Sequence, residues 1–226
     1  MAITLAFDVY GTLIDTHSVT VALQEYVGEK AADFSRLWRE KQLEYSFRRG
    51  LMQNYQQFSV CTSQALDYTC LSYKISLSDQ DKQKLMEGYR VLPAFPDVKE
   101  GLEHVKTEGF RMFAFSNGSA DAVEMLLQNA GIRAYFDGVV SVDALKIFKP
   151  SPAVYCHFLR SAHSTGAESW MISGNPFDVI GSISAGMRAA WIQRSPETIF
   201  DPWEIQPTLI LNSLSPLAVQ IKNAST

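Results

Sequence analysis

The stretch FDVYGTLID, residues 7–15, breaks the apolar run that precedes it with a carboxylate, Asp8, before Gly11 and Thr12 bend the chain back. Open parallel sheets bind their ligands outside the carboxyl ends of the strands. An acid at such an end is a candidate for chemistry, provided the rest of the chain builds that sheet. The later residues predict one. A helix at 97–107 leads to the strand RMFAFS (111–116), and a helix at 120–130, closed by Gly131, leads to GVVSVD (138–143). A helix at 151–162 leads to SWMIS (169–173), a helix at 178–186 leads to AAWIQ (189–193), and a last short strand, TLILN, lies at 208–212. Strands alternating with helices of this length predict a parallel sheet covered on both faces.

Between the first strand, ITLAFD (3–8), and this alternation, the pattern is helical. Val19, Leu23 and Tyr26/Val27 recur at helical spacing and stop at Gly28, and Phe34, Leu37 and Trp38 open a second, charge-rich helix. Tyr55 to Tyr73 reads as a third, and Ser78, an N-cap with Asp81 three places on, starts a fourth that runs to about Tyr89. VLPAFPD (91–97), with two prolines, reads as a re-entry loop. The expected class is α/β. Residues 1–14 and 92–226 form a doubly wound parallel-sheet core, Rossmann-like in plan, and a four-helix cap, residues 15–91, is inserted after the first strand.

Composition agrees with one sizeable domain carrying an insert. The 226 residues are 46% hydrophobic and 19% charged, and a formal charge of −4 leaves no basic footprint for nucleic acid. No stretch approaches the ~20 apolar residues that span a bilayer. MAITLAFDV is too short for a signal peptide and lacks its basic start, so no membrane partner and a cytoplasmic location are expected. Cys61, Cys70 and Cys156 have no metal-like spacing and are expected as reduced, mostly buried thiols. The four histidines are scattered.

Four strand ends carry polar groups. Asp8 on its tight turn can present a carboxylate oxygen as a nucleophile. A turn-capping aspartate is the plainer alternative, but Gly11 and Thr12 fold the backbone so that N–H groups face the same place. Ser116-Asn117-Gly118-Ser119 precedes a helix whose free N–H groups suit an anion, and Ser119 also suits plain N-capping. The third strand leads to KIFKPS, with Lys149 ahead of a helix. A cation there opposes the helix dipole, so a counter-charge such as Asp8 is expected. The fourth strand ends at SGNPFD, Ser173 to Asp178.

These residues resemble the haloacid dehalogenase superfamily, and within it the type II L-2-haloacid dehalogenases. FDVYGTLID, SNGS, Lys149 in FKPSPAVY, and SGNPFD are similar to its four motifs, in order and at the right strand ends. LWREKQLEYSFRRGLM (37–52), YQQFSVCTSQALDYTC (55–70) and LPAFPD (92–97) resemble the cap and re-entry sequences of the dehalogenase branch. The phosphatases of the superfamily carry Asp-x-Asp in the first motif, the second acid protonating the leaving alkoxide. Here that place is Tyr10, and halide needs no proton to leave. They also place an acid early in the fourth motif, where this chain has Ser173, Gly174 and Asn175. That leaves few carboxylates for magnesium.

The resemblance implies hydrolysis of an L-2-haloalkanoate to a D-2-hydroxyalkanoate, with no metal and no organic cofactor. Asp8 attacks the halogen-bearing carbon, halide leaves, and water cleaves the resulting ester. Lys149 favours the Asp8 charge, and Tyr155 falls at the family's tyrosine beside it. Arg39 receives the halide. Ser116 and N–H groups near Val9 and Tyr10 hold the substrate carboxylate, while Asn117 and Phe177 help line the halide cradle. Thr12, Ser173, Asn175 and Asp178 form the network around the water and Asp8. Tyr10, Leu43 and Phe58 wall the alkyl side. A homodimer is implied in the same way. Glu40 stands where glutamine is usual and is expected to weaken Arg39 unless it points to solvent. Gly174 and Phe177 replace a common serine and tryptophan. Two alternatives remain open at this point: a magnesium-dependent phosphatase of the same superfamily, and a non-catalytic member.

Overall fold

A computed structural model describes residues 3–225. Strand β1 (Thr4–Phe7) is followed by four helices, α1 (His17–Val27), α2 (Ala31–Leu51), α3 (Phe58–Tyr73) and α4 (Asp79–Gly88). The alternation then begins with α5 (Val98–Thr107), β2 (Arg111–Ser116), α6 (Ala120–Asn129) and β3 (Gly138–Ser141). It continues through α7 (Pro152–Ser161), β4 (Ser169–Ser173), α8 (Pro176–Ser184), β5 (Arg188–Ile192), β6 (Leu209–Leu211) and α9 (Leu217–Ser225). The strands form one six-stranded sheet in the order β3-β2-β1-β4-β5-β6, parallel throughout. This is the doubly wound α/β class expected. Its order reverses beside β1, so the crevice where such folds bind ligands opens between the ends of β1, β2 and β4.

The sheet is covered on both faces because its strands alternate apolar residues to both sides. Leu5 and Phe7 of β1 join one buried cluster with Met112, Ala114, Trp170 and Ile172. Ala6 joins the other with Phe113, Phe115 and Met171. Several boundaries differ from the sequence expectation for local reasons. The third strand ends at Ser141 because its hydroxyl accepts the Asp143 N–H at 3.1 Å and turns the chain into a 3-10 segment, Val142–Leu145. The second helix starts earlier, at Ala31, directly after a 3-10 turn at Gly28–Lys30. The third starts at Phe58, leaving Tyr55 in the connection, where its hydroxyl donates to Asp143 at 2.5 Å. Ser78 does cap α4, accepting the Asp81 N–H at 3.1 Å. Helix α9 was not expected, although Leu217 and Ile221, four apart, are its buried stripe. Cys61 and Cys70 are buried, whereas Cys156 is exposed. Among the described residues, no helix is long and apolar enough to cross a membrane.

Candidate active site

Asp8 comes directly after β1, and its N–H donates to Ile172 O of β4 at 2.9 Å. The chain then winds around one carbonyl, that of Val9, which accepts from Leu13 and Ile14 at 3.0 Å each and from Thr12 at 3.3 Å. Gly11 has a φ of 77°, a conformation side-chain-bearing residues rarely adopt. The turn brings the Thr12 hydroxyl back to Asp8, where it donates to Oδ2 at 2.8 Å and accepts the Gly174 N–H at 2.8 Å. Asn175 Nδ2 donates to the same oxygen at 2.7 Å, and the Ser173 hydroxyl lies at 3.5 Å. A Cβ at position 174 would sit 2.4 Å from Gly11 O, so the two turns approach more closely here than a side-chain-bearing residue allows without a backbone shift. The two Asp8 oxygens are therefore unlike. Oδ2 faces three donors, while among the described residues Oδ1 meets only Lys149 Nζ, at 3.3 Å.

Lys149 is 1% exposed, so its ammonium must be satisfied by protein. It donates to Phe115 O and Asp178 Oδ2, both at 2.8 Å, and lies 4.2 Å from the centre of the Phe115 ring. Its backbone N–H donates to Asn117 Oδ1 at 2.9 Å, which ties the second strand end to the third. Asp178, in the first turn of α8, is fully buried and accepts the Tyr155 hydroxyl at 2.8 Å. Burial pushes the Asp178 carboxyl up to about 6, against the pull of Lys149 and with the help of the Asp8 charge. Burial first, and then Asp178, raises the Tyr155 phenol well above its ordinary value. The buried Ser116 hydroxyl accepts the Gly118 N–H at 3.1 Å. Ser119 makes no side-chain cap, so its hydroxyl does not cover the N-terminus of α6.

The helical segment supplies the facing side. Arg39 of α2 donates to Gln42 at 2.5 Å and reaches Asn175 Oδ1 at 3.4 Å. Burial lowers the Arg39 pKa. Glu40 turns away and pairs with Arg36 at 3.3 Å in an exposed position, so it does not compete for Arg39. Gln42 and Thr62 escaped the sequence reading. Both are buried, and Gln42 donates to the Thr62 hydroxyl at 2.6 Å. The available signal was spacing, since Gln42 lies one helical step from Arg39. A cavity of about 440 Å³ opens here, lined in part by Tyr10, Gln42, Phe58, Thr62 and Tyr89. Burial pushes both the Tyr10 and Tyr89 phenols up to about 12. Asp8, Arg39, Leu43, Lys149 and Phe177 are outside that lining. Leu43 is half-buried on α2, and Phe177 packs edge-on against Phe47 with ring centres 5.2 Å apart. Among the described residues, no group of three or more His, Cys, Asp or Glu side chains gathers as a metal site.

Asp8, Ser116, Asn117, Lys149, Tyr155, Ser173, Asn175 and Asp178 thus converge at the carboxyl edge of the sheet, with Arg39 facing them. The chain is 38% identical to haloacetate dehalogenase H-2 of Moraxella sp. (strain B), over 84% of its length and 85% of the relative's. It is 32% identical to an (S)-2-haloacid dehalogenase of Pseudomonas putida, over 97% and 96% of the two chains. The structure superposes with a TM-score of 0.91 on the L-2-haloacid dehalogenase of Xanthobacter autotrophicus, solved with chloropropionic acid covalently bound. That match is 28% identical and covers 98% of this chain and 99% of the other. The family model for haloacid dehalogenase-like hydrolases matches residues 4–186. The chain belongs to the haloacid dehalogenase-like hydrolase family.

Proposed function

We propose that the protein hydrolyses L-2-haloalkanoic acids to D-2-hydroxyalkanoic acids through an ester on Asp8. The observation that carries this reading is the asymmetry of the Asp8 carboxylate. Oδ2 is fixed by Thr12 and Asn175, at 2.8 and 2.7 Å, while Oδ1 keeps only the longer 3.3 Å contact to Lys149. A nucleophilic oxygen needs a free lone pair and a fixed direction, and this arrangement supplies both.

In the first step Oδ1 bonds to C2 of the substrate as the carbon–halogen bond breaks, and the halide leaves with the electron pair toward Arg39. The substrate carboxylate is held by Ser116 and N–H groups near Val9 and Tyr10. In the second step water adds to the Asp8 carboxyl carbon and Asp178 takes its proton. Charge grows on Oδ2, which Thr12, Asn175 and Ser173 receive. The Cγ–Oδ1 bond then breaks, the departing alkoxide takes the proton from Asp178 and leaves as the 2-hydroxy acid, and the Asp8 carboxyl loses its remaining proton to solvent. Tyr10, Leu43, Phe58 and Phe177 are assigned to substrate fit, and residues 15–91 to a cap over the core of 1–14 and 92–226. A cytoplasmic setting and pairing of two copies belong to the same proposal.

The phosphatase reading is disfavoured by chemistry at the same atoms. The Lys149 ammonium lies between Asp8 and Asp178, and Tyr10 stands where a general acid would be needed. The test is halide release from the two enantiomers of 2-chloropropionate, run beside an aryl phosphate with and without magnesium. Turnover of the L form alone, giving D-lactate and indifferent to a chelator, is expected. Magnesium-dependent phosphate release exceeding halide release would overturn the assignment.

A further inference from the structure

Behind the nucleophile turn lies a charged pair that none of the four strand-end motifs contains. Arg194 follows β5, and its Nε and one terminal nitrogen donate to the carbonyl of Thr12 at 3.1 and 2.5 Å. Its other terminal nitrogen meets both oxygens of Asp97, at 2.7 and 2.8 Å. The side chains of Arg194 and Asp97 are 14% and 18% exposed, so the pair is largely shielded from solvent. The guanidinium stacks 4.2 Å from the centre of the Phe95 ring. Asp97 also accepts the Leu214 N–H at 2.6 Å.

The pair sits where the two connections between the sheet and the inserted helices run side by side. Ile14 bridges Ala94, Asp15 N–H donates to Pro93 O at 2.9 Å, and Phe95 N–H donates to Leu13 O at 3.0 Å. Thr12 is consequently fixed from three directions: its N–H by Val9, its hydroxyl by Asp8 and Gly174, and its carbonyl by Arg194. Released from Arg194, the peptide after Thr12 loses two charge-assisted donors, and the hydroxyl loses its anchored backbone.

We infer that Arg194, itself fixed by Asp97, is a positioning residue that holds the Thr12 hydroxyl on Asp8 Oδ2. The inference rests on the proposed reaction through an Asp8 ester. Its effect on the two steps has opposite sign. During alkylation negative charge drains from Asp8, so a donor on Oδ2 favours the ground state. During ester hydrolysis negative charge builds on Oδ2, so the same donor favours the transition state. Loss of the tie therefore slows the second step selectively, which a merely structural role would not do.

The experiment follows single turnovers of 2-chloropropionate by halide release and by lactate release, with intact-protein mass recorded in the steady state. The proteins are the wild type, Arg194→Gln, Arg194→Lys and Asp97→Asn. Wild-type turnover establishes the reaction itself, independently of this inference. The expected result is ester hydrolysis slowed about tenfold or more relative to alkylation in Arg194→Gln. Alkylated protein then accumulates, and Arg194→Lys recovers part of the loss because an ammonium still donates to Thr12 O. If Arg194→Gln fails to fold, Asp97→Asn is expected to shift the same ratio in the same direction by a smaller factor, since its amide leaves Arg194 one uncharged acceptor in place of two carboxylate oxygens. Both steps slowed equally, or neither slowed, with no alkylated protein in any variant that folds, would overturn the inference.

Discussion

On the sheet side of the site, side chains arrive from strand ends and turns and are locked by short contacts, whereas on the helical side Arg39 crosses to Asn175 over 3.4 Å. Lys149 makes three contacts within 3.3 Å, and the only buried side-chain polar atom without a partner among the described residues is Thr4 Oγ1. The sheet side is thus arranged before substrate arrives, as electrostatic catalysis requires. The helical side holds its arginine through a neutral relay, Gln42 to Thr62. The comparison predicts that sheet-side changes abolish chemistry, while helix-side changes reduce it and alter halide handling.

The largest expected effect is at Lys149. Lys149→Met leaves Asp8 and Asp178 as two buried acids without their shared cation. We expect turnover to fall by about 10⁴-fold, by analogy with other sites whose parts act as a unit, and stability to fall by about 3–5 kcal/mol. Halide-release kinetics and a denaturant titration check the two. Next in size, Arg39→Met is expected to lower kcat by about 10²–10³-fold, the scale for removing one charged donor from a developing anion, while the thermal midpoint stays within a few degrees. A loss at Arg39 equal to that at Lys149 would break the comparison.

The smallest effect is graded with pH. In the proposed mechanism Asp178 accepts the proton of water only when ionised, so turnover should fall about tenfold per pH unit once the pH drops below the carboxyl's value of about 6. Stability from the same group runs the other way. The folded chain binds this proton more tightly than the unfolded chain, so Asp178 contributes stability below its ordinary 3.8 that is lost as pH rises through about 6. Comparing the pH dependence of unfolding in the wild type and in Asp178→Asn isolates that slope.

What could be read from the chain before folding follows the same division. Asp8, Ser116 and Ser173 were legible because a parallel sheet gathers its strand ends, and each of these ends is marked by an apolar run stopping at a polar residue, while Lys149, beyond the end of β3, was legible as a cation ahead of a helix, against the helix dipole. Arg39 needed a family resemblance, since RLWREK alone is an ordinary charged helix surface. Gln42 and Thr62 were missed because their roles depend on which faces of α2 and α3 meet, and that is set by packing. Arg194 and Asp97 were missed for a related reason: they lie 97 residues apart, and their meeting depends on where α5 starts and β5 ends. Helix α9 was overlooked because its short apolar stripe follows the last strand read.

The central claim is that Asp8 forms a covalent bond to carbon and that water then attacks its carboxyl group. A single turnover of L-2-chloropropionate in heavy-oxygen water, with enzyme in excess, tests it directly. The account predicts that the label enters the Asp8 carboxylate and that the first lactate released carries an unlabelled hydroxyl. Labelled lactate from an unlabelled protein would contradict it.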